Sequence, residues 1–171
     1  MNIDIREQAC RDFEFLCSRY GFIRNVISPS HVRFESKQVF IEITADQRDG
    51  ICVNYGRFAA KSPLSDNQAE DLSLNTFLGA LKTYRGTLKR ISDEEELNQL
   101  AEGLKTDGRG LIIGNAALYE LTGQLRFWHV GNFVNLWGKS IIMTPEEIQK
   151  QKQLLPTIEK MISEISQSSS T

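Results

Sequence analysis

Three short runs between residues 32 and 55 alternate apolar and polar side chains. They are Val32-Arg33-Phe34-Glu35, Val39-Phe40-Ile41-Glu42-Ile43 and Ile51-Cys52-Val53-Asn54-Tyr55. Alternation at period two marks strands with one buried face. Ahead of them, Ile5, Ala9, Phe13, Leu16, Cys17 and Tyr20 recur at helical spacing, so one amphipathic helix is expected up to Tyr20. Gly21 follows as a left-handed cap. A helix stripe and a sheet face must bury their apolar sides against each other. The expected fold class is therefore α+β: an antiparallel β-meander packed against an N-terminal helix, with several further helices in the C-terminal half. Val39, Ile41 and Ile43 should face the helix, and Phe40 and Glu42 the other side, because strand side chains alternate.

The punctuation supports this layout. Phe22 to Val26 reads as a further strand, broken by Ser28-Pro29-Ser30. Ser36-Lys37 reads as a hairpin tip and Asp46 to Gly50 as a longer turn. From Gly56 to Asn67 the chain is polar and contains Pro63, which suggests a loop or crossover. Leu74, Phe77, Leu78 and Leu81 predict a second helix. Ser92-Asp93-Glu94-Glu95 is a capping box that opens a third, with Leu97, Leu100, Ala101 and Leu104 buried and Gly108 and Gly110 closing it. Asn115 to Leu121 looks helical. Residues 125–137 are either an apolar helix or a hairpin, Phe127 to Val130 against Phe133 to Leu136, turning on Gly131-Asn132; aromatic and β-branched residues favour the hairpin. Thr144-Pro145-Glu146-Glu147 is a second capping box. It opens a last helix carrying Ile148, Leu155, Ile158, Ile162 and Ile165, with a kink or break near Pro156. One domain is expected over residues 1–166, and a disordered tail over 167–171.

Charge excludes some functions. The 20 Lys and Arg against 22 Asp and Glu give a net charge of −2, not the basic stripe of a nucleic-acid binder. The 3 cysteines, Cys10, Cys17 and Cys52, are too few and too odd for a disulfide framework. No segment has the ~20 apolar residues of a membrane span. The N-terminal residues form no secretory apolar run, so a cytoplasmic location is expected.

No constellation announces catalysis. His31 and His129 lack a local nucleophile or carboxylate signature and read as a surface turn residue and a packed residue. No His, Cys and carboxylate spacing suits zinc. Gly108-Arg109-Gly110 and Gly114 lack the pattern of a phosphate loop. No catalytic, cofactor or metal residues are therefore assigned, and no cofactor is expected. Lys82, Arg85, Lys89 and Arg90 suit a helix C-terminus, where cations complement the dipole. Asp66, Glu70, Asp71, Asp93, Glu94, Glu95 and Glu96 are candidates for meeting a basic partner. For the second of these acidic clusters the competing reading is dipole stabilisation of a helix start, ~0.3–1 kcal/mol per carboxylate. Trp128 and Trp137 are either core or interface anchors.

The block containing Phe13, Leu16, Tyr20-Gly21-Phe22, Val32 to Ser36, Val39 to Ile43 and Asp46 to Tyr55 resembles small bacterial immunity proteins of contact-dependent inhibition and polymorphic toxin systems. Leu100-Ala101, Leu104, Gly110-Leu111 and Gly114-Asn115 are similar to a later part of those proteins. Asn115 departs from the acidic residue that often follows the second glycine there. The resemblance spans about half the chain. It implies a non-catalytic inhibitor that occludes a functional surface of one cognate protein toxin, and it transfers no binding residues. If the toxin is a nuclease, the acidic clusters suit its basic cleft. The rivals are a small enzyme built from dispersed residues such as His31, Glu42, Asp46 and Asp49, and a homodimeric structural or adaptor domain using residues 128–137. Whether the chain is a monomer or a homodimer stays open at this level.

Overall fold

A computed structural model describes residues 3–58, 72–87, 92–125, 128–129, 132–133 and 144–168, without the side chains of residues 93, 94, 128, 129, 132 and 133. Five strands form one antiparallel sheet in chain order: β1 (Ile23–Ser28), β2 (His31–Glu35), β3 (Val39–Asp46), β4 (Gly50–Arg57) and β5 (Leu72–Ser73). The meander arises because each link is a short turn. Ser36 Oγ accepts from the Val39 amide at the β2–β3 tip. Asp46 Oδ1 accepts from the amides of Arg48 and Asp49 at the next turn, and Gly50 supplies its φ of 71°.

Register puts Phe34, Ile41 and Tyr55 in one row and Val32, Ile43 and Val53 in the next. All six are almost wholly buried. Phe13 stacks on Phe34 with ring centroids 6.1 Å apart, so the N-terminal helical segment covers this face as expected. Phe40 is also buried, yet it lies outside the main core cluster, because it points through the other face of the sheet.

The N-terminal segment is two helices rather than one: α1 (Arg6–Asp12) and α2 (Glu14–Tyr20). Phe13 between them has φ −102° and ψ 10°. Residues two apart do not share a face of a continuous helix. Here both Phe13 and Phe15 are buried, with rings 6.2 Å apart, and the interruption at Phe13 makes that possible. Gly21 ends α2 at φ 70°, as its residue type implied.

The second layer is helical: α3 (Leu74–Arg85), α4 (Asp93–Thr106), α5 (Arg109–Ile112), α6 (Ala116–Gly123) and α7 (Pro145–Ser168). The Thr144 box forms as anticipated: Glu147 donates its amide to Thr144 Oγ1, and the Thr144 amide donates to Glu147 Oε2. The Ser92 box does not form. The Ser92 hydroxyl makes no capping bond, because its own carbonyl already accepts from the amides of Glu95 and Glu96. Gly110 does not close α4. It lies within α5, where a Cβ would come within 2.6 Å of Leu118 Cδ2 and 2.7 Å of Ile165 Cδ1, so any larger residue would have to displace those two methyl groups. Asn115 caps α6 by accepting from the Leu118 amide. Pro156 does not break α7, since Leu154, Leu155 and Ile158 bury on both sides of it. That burial outweighs the ~3 kcal/mol an internal proline costs. Gln167 and Ser168 belong to α7; residues 169–171 lie outside the described residues.

Residues 128–133 favour the hairpin. Strands β6 (Trp128–His129) and β7 (Asn132–Phe133) pair antiparallel, Trp128 with Phe133 and His129 with Asn132. Asn132 is thus a strand residue and not part of a Gly131-Asn132 turn. The register sits one residue earlier than expected, leaving residues 130–131 between the strands.

Three helices are fastened at one point. Arg85, at the end of α3, donates to both carboxylate oxygens of Asp107 after α4, at 2.7 and 3.0 Å, and to both of Glu159 in α7. The basic residue that suits a helix end is thereby consumed structurally. Lys82 donates to Gln99, while Lys89 and Arg90 lie outside the described residues.

Truncating the sheet–helix contact tests this packing. Phe13→Ala should lose about 3–5 kcal/mol and Ile41→Ala about 2–5 kcal/mol in denaturant melts. The Arg85 cluster predicts a pH dependence. Hydrogen bonds from Arg85 hold the Glu159 carboxyl below its ordinary range. Its contribution is therefore complete above the unfolded glutamate pKa of about 4.3 and is lost as pH falls through the lower folded value. Water reaches the cluster, so Glu159→Gln should cost only about 1 kcal/mol at neutral pH. Melts of both proteins should begin to converge as pH falls below about 4.3 and should meet only below the lower folded value.

Candidate functional site

The outer face of the sheet, away from the helices, carries rows of polar residues set by the same register. Arg33 lies opposite Glu42, which lies opposite Asn54; His31 lies opposite Thr44, which lies opposite Cys52. His31 Nε2 donates to Glu42 Oε1 at 2.8 Å. Arg33 Nη1 donates to the same oxygen at 3.4 Å. Arg33 Nε is 2.6 Å from Glu35 Oε1, close enough for an ion pair but not aligned as a hydrogen bond. The Arg33 guanidinium lies over the Phe40 ring at 4.4 Å and near the Phe58 ring at 5.9 Å. Phe40 and Phe58 contact each other, and Phe58 remains 38% exposed.

Each element has a local cause. Adjacent residues of β2 alternate between core and outer face, so Val32 and Phe34 bury while His31, Arg33 and Glu35 turn outward. Phe40 is the apolar residue of the outer row. It escapes water because Phe58 and the Arg33 guanidinium cover it, as cation–π geometry allows. One positive charge, Arg33, meets two negative charges, Glu35 and Glu42, so the group sums to −1 with His31 neutral. The side chains of His31, Arg33, Glu35 and Glu42 stay 18–35% exposed. They are held by one another yet reachable.

His31 is therefore a strand residue with a carboxylate partner, not a turn residue. The β2–β3 hairpin is centred on Lys37-Gln38, one residue later than the Ser36-Lys37 tip expected, and that centre sets Arg33 against Glu42 and His31 against Thr44. Arg33, Glu35 and Phe40 were not among the candidates read from the sequence, because a tip at Ser36-Lys37 gives a different register from the one that brings them together. Of the dispersed residues considered for an enzyme, His31 and Glu42 meet, whereas Asp46 is engaged in its turn by the Arg48 and Asp49 amides. No nucleophile stands beside His31 among its described partners. Cys52 is two strands away, and burial, then Asp49 and Asp46, push its thiol up, away from thiolate character.

The acidic candidates fare differently. Glu95 is exposed at the start of α4. Glu96 Oε1 accepts from Asn75 and is part of the scaffold. Asp93 and Glu94 lie in the first turn of α4, their side chains outside the description. Asp66, Glu70, Asp71 and Trp137 lie outside the described residues, and Trp128 is placed only by its backbone in β6. A separate open depression of about 410 Å³ is lined by Tyr20, Phe22, Lys37, Val39, Ile112 and Ile113, and no His or carboxylate lines it.

Among the described residues no group of three His, Cys, Asp or Glu side chains is placed to hold a metal ion, and no helix is long and apolar enough to cross a membrane. Set against protein-family models, curated proteins and solved structures, the chain matches none of them.

The site's internal coupling is measurable. A double-mutant cycle of Arg33→Ala and Phe40→Leu should return a favourable coupling of about 0.5–2 kcal/mol in equilibrium unfolding. Additive losses would mean that the guanidinium gains nothing from the ring beneath it.

Proposed function

We propose that this chain is an immunity protein: a non-catalytic, cytoplasmic inhibitor that binds one cognate toxin domain and occludes its functional surface. The observation that carries the reading is the ion-paired group His31, Arg33, Glu35 and Glu42 on the outer sheet face. Side chains already fixed by their neighbours lose little entropy on binding, which is how rigid protein inhibitors gain affinity. The group's negative balance suits a basic cleft such as that of a nuclease. The front-block resemblance points to the same class. Glu95, exposed at the start of α4 in the helical layer, is a separate acidic candidate, with Asp93, Glu94, Asp66, Glu70 and Asp71 as further ones and Trp128 and Trp137 as anchor candidates.

Charge complementarity acts mainly on association. The test is co-expression and binding kinetics with the toxin encoded beside this chain. Glu35→Lys and Glu42→Lys should slow association about tenfold or more at low salt, flatten its salt dependence and weaken protection. Unchanged association and protection in both variants would remove the sheet face from the interface. Failure of the wild-type chain to bind its co-encoded toxin would end the immunity reading.

The His31–Glu42 pair also favours a second reading, a small hydrolytic or proton-transfer enzyme, since a carboxylate-bound imidazole can act as a general base. Turnover of a small substrate, abolished by His31→Ala with stability unchanged, would support it over the first.

A further inference from the structure

The sheet has two edges, and they are treated differently. Beside β4 the edge is closed. Strand β5 pairs with Asn54 and Tyr55, and beyond it the Asn75 side chain imitates a strand. Its Oδ1 accepts from the Val53 amide at 2.9 Å, and its Nδ2 donates to the Ile51 carbonyl at 3.0 Å. At the other edge, nothing among the described residues pairs with the outer side of β1. That strand exposes Ile23 by 70%, Val26 by 47% and Ile27 by 55%. Its one charge, Arg24, is neutralised by Glu14 of α2 at 3.2 Å. Natural edge strands are usually blunted by charge, proline or a bulge. Here only the register shift between Val26 and Ser28 does so.

We infer that β1 pairs with β1 of a second copy of this chain, antiparallel about a two-fold axis, to form one continuous ten-stranded sheet. Symmetry and charge select the register. A two-fold axis normal to the sheet maps each face onto itself, so every residue must meet one of the same parity. Centring on Arg24 would set two like charges directly opposite, which is unfavourable. Centring on Val26 would place the register shift on the axis. Centring on Asn25 keeps residues 24–26, the regular part of the ladder, clear of both. It sets Asn25 against Asn25 of the second copy and Arg24 against Val26, and it brings Ile23 level with Ile27 at the register shift. The most exposed aliphatic residues then lie together at each end of the new ladder. Each Arg24 arrives with its own Glu14, so the contact brings together two neutral pairs. Both helical layers fall on the same side, which leaves the face with His31, Arg33, Glu35 and Glu42 uncovered. The inference is independent of the immunity reading.

Sedimentation equilibrium of the full chain across the micromolar range tests it, alongside the double variant Ile23→Lys/Ile27→Lys. The expected result is a concentration-dependent dimer in the wild type and a monomer in the variant, with its circular dichroism unchanged because both positions are exposed. Asn25→Cys gives a second readout that does not depend on that variant folding. Mild oxidation should yield a reducible covalent dimer, whereas Arg24→Cys, displaced from the axis, should not. A wild type that stays monomeric throughout, a dimer that persists in the lysine variant, or cross-linking equal at positions 24 and 25 would overturn the proposal.

Discussion

The pairing register of β2 with β3 is the constraint on which the rest depends. With Phe34 opposite Ile41, the apolar members of both strands face the helices, and Arg33 and Glu42 face away. Strand side chains alternate with a period of two, so a slip by one residue would exchange the faces. A slip of β2 would turn Arg33 and Glu35 into the core, and a slip of β3 would turn Glu42 in, at a desolvation cost of several kcal/mol per ion. The core and the candidate site are thus two readings of one register.

The helical layer is fastened by different means at its two ends. Near the sheet, Asn75 joins α3 to β4 through backbone groups and reaches Glu96 of α4. Far from it, Arg85 gathers the ends of α3 and α4 and the middle of α7. Between these points the contacts are aliphatic and non-directional, and they include a glycine, Gly110, against which the Leu118 and Ile165 methyls pack closely. Apolar burial drives the assembly, while the two polar fasteners set how the helices sit.

Much of this was legible in the residues. The alternating runs, the Gly21 stop, the Thr144 box and the helical spacing of Leu74, Phe77, Leu78 and Leu81 all behave as their local chemistry implies. The misreadings share a cause. A capping box at Ser92 and a helix stop at Gly110 are local inferences, and in each case a competing partner, the Ser92 carbonyl or the Leu118 side chain, won. The uninterrupted helix to Tyr20 failed because Phe15 also had to be buried, a demand imposed by the packing of its ring on Phe13 and not by spacing along the chain.

By itself the sequence determined the fold class, because period-two and period-3.6 patterns can each bury an apolar face in only one kind of element. It also determined which strand residues turn outward. Only the tertiary structure decided that His31, Arg33, Glu35 and Glu42 form one ion-paired group over Phe40, that Arg85 is spent on Asp107 and Glu159, and that one sheet edge is closed by Asn75 while the other stays open. These features join residues up to 74 positions apart in the chain. The physical reason is that a pairing's energy depends on distance and desolvation, and neither exists until the chain has folded.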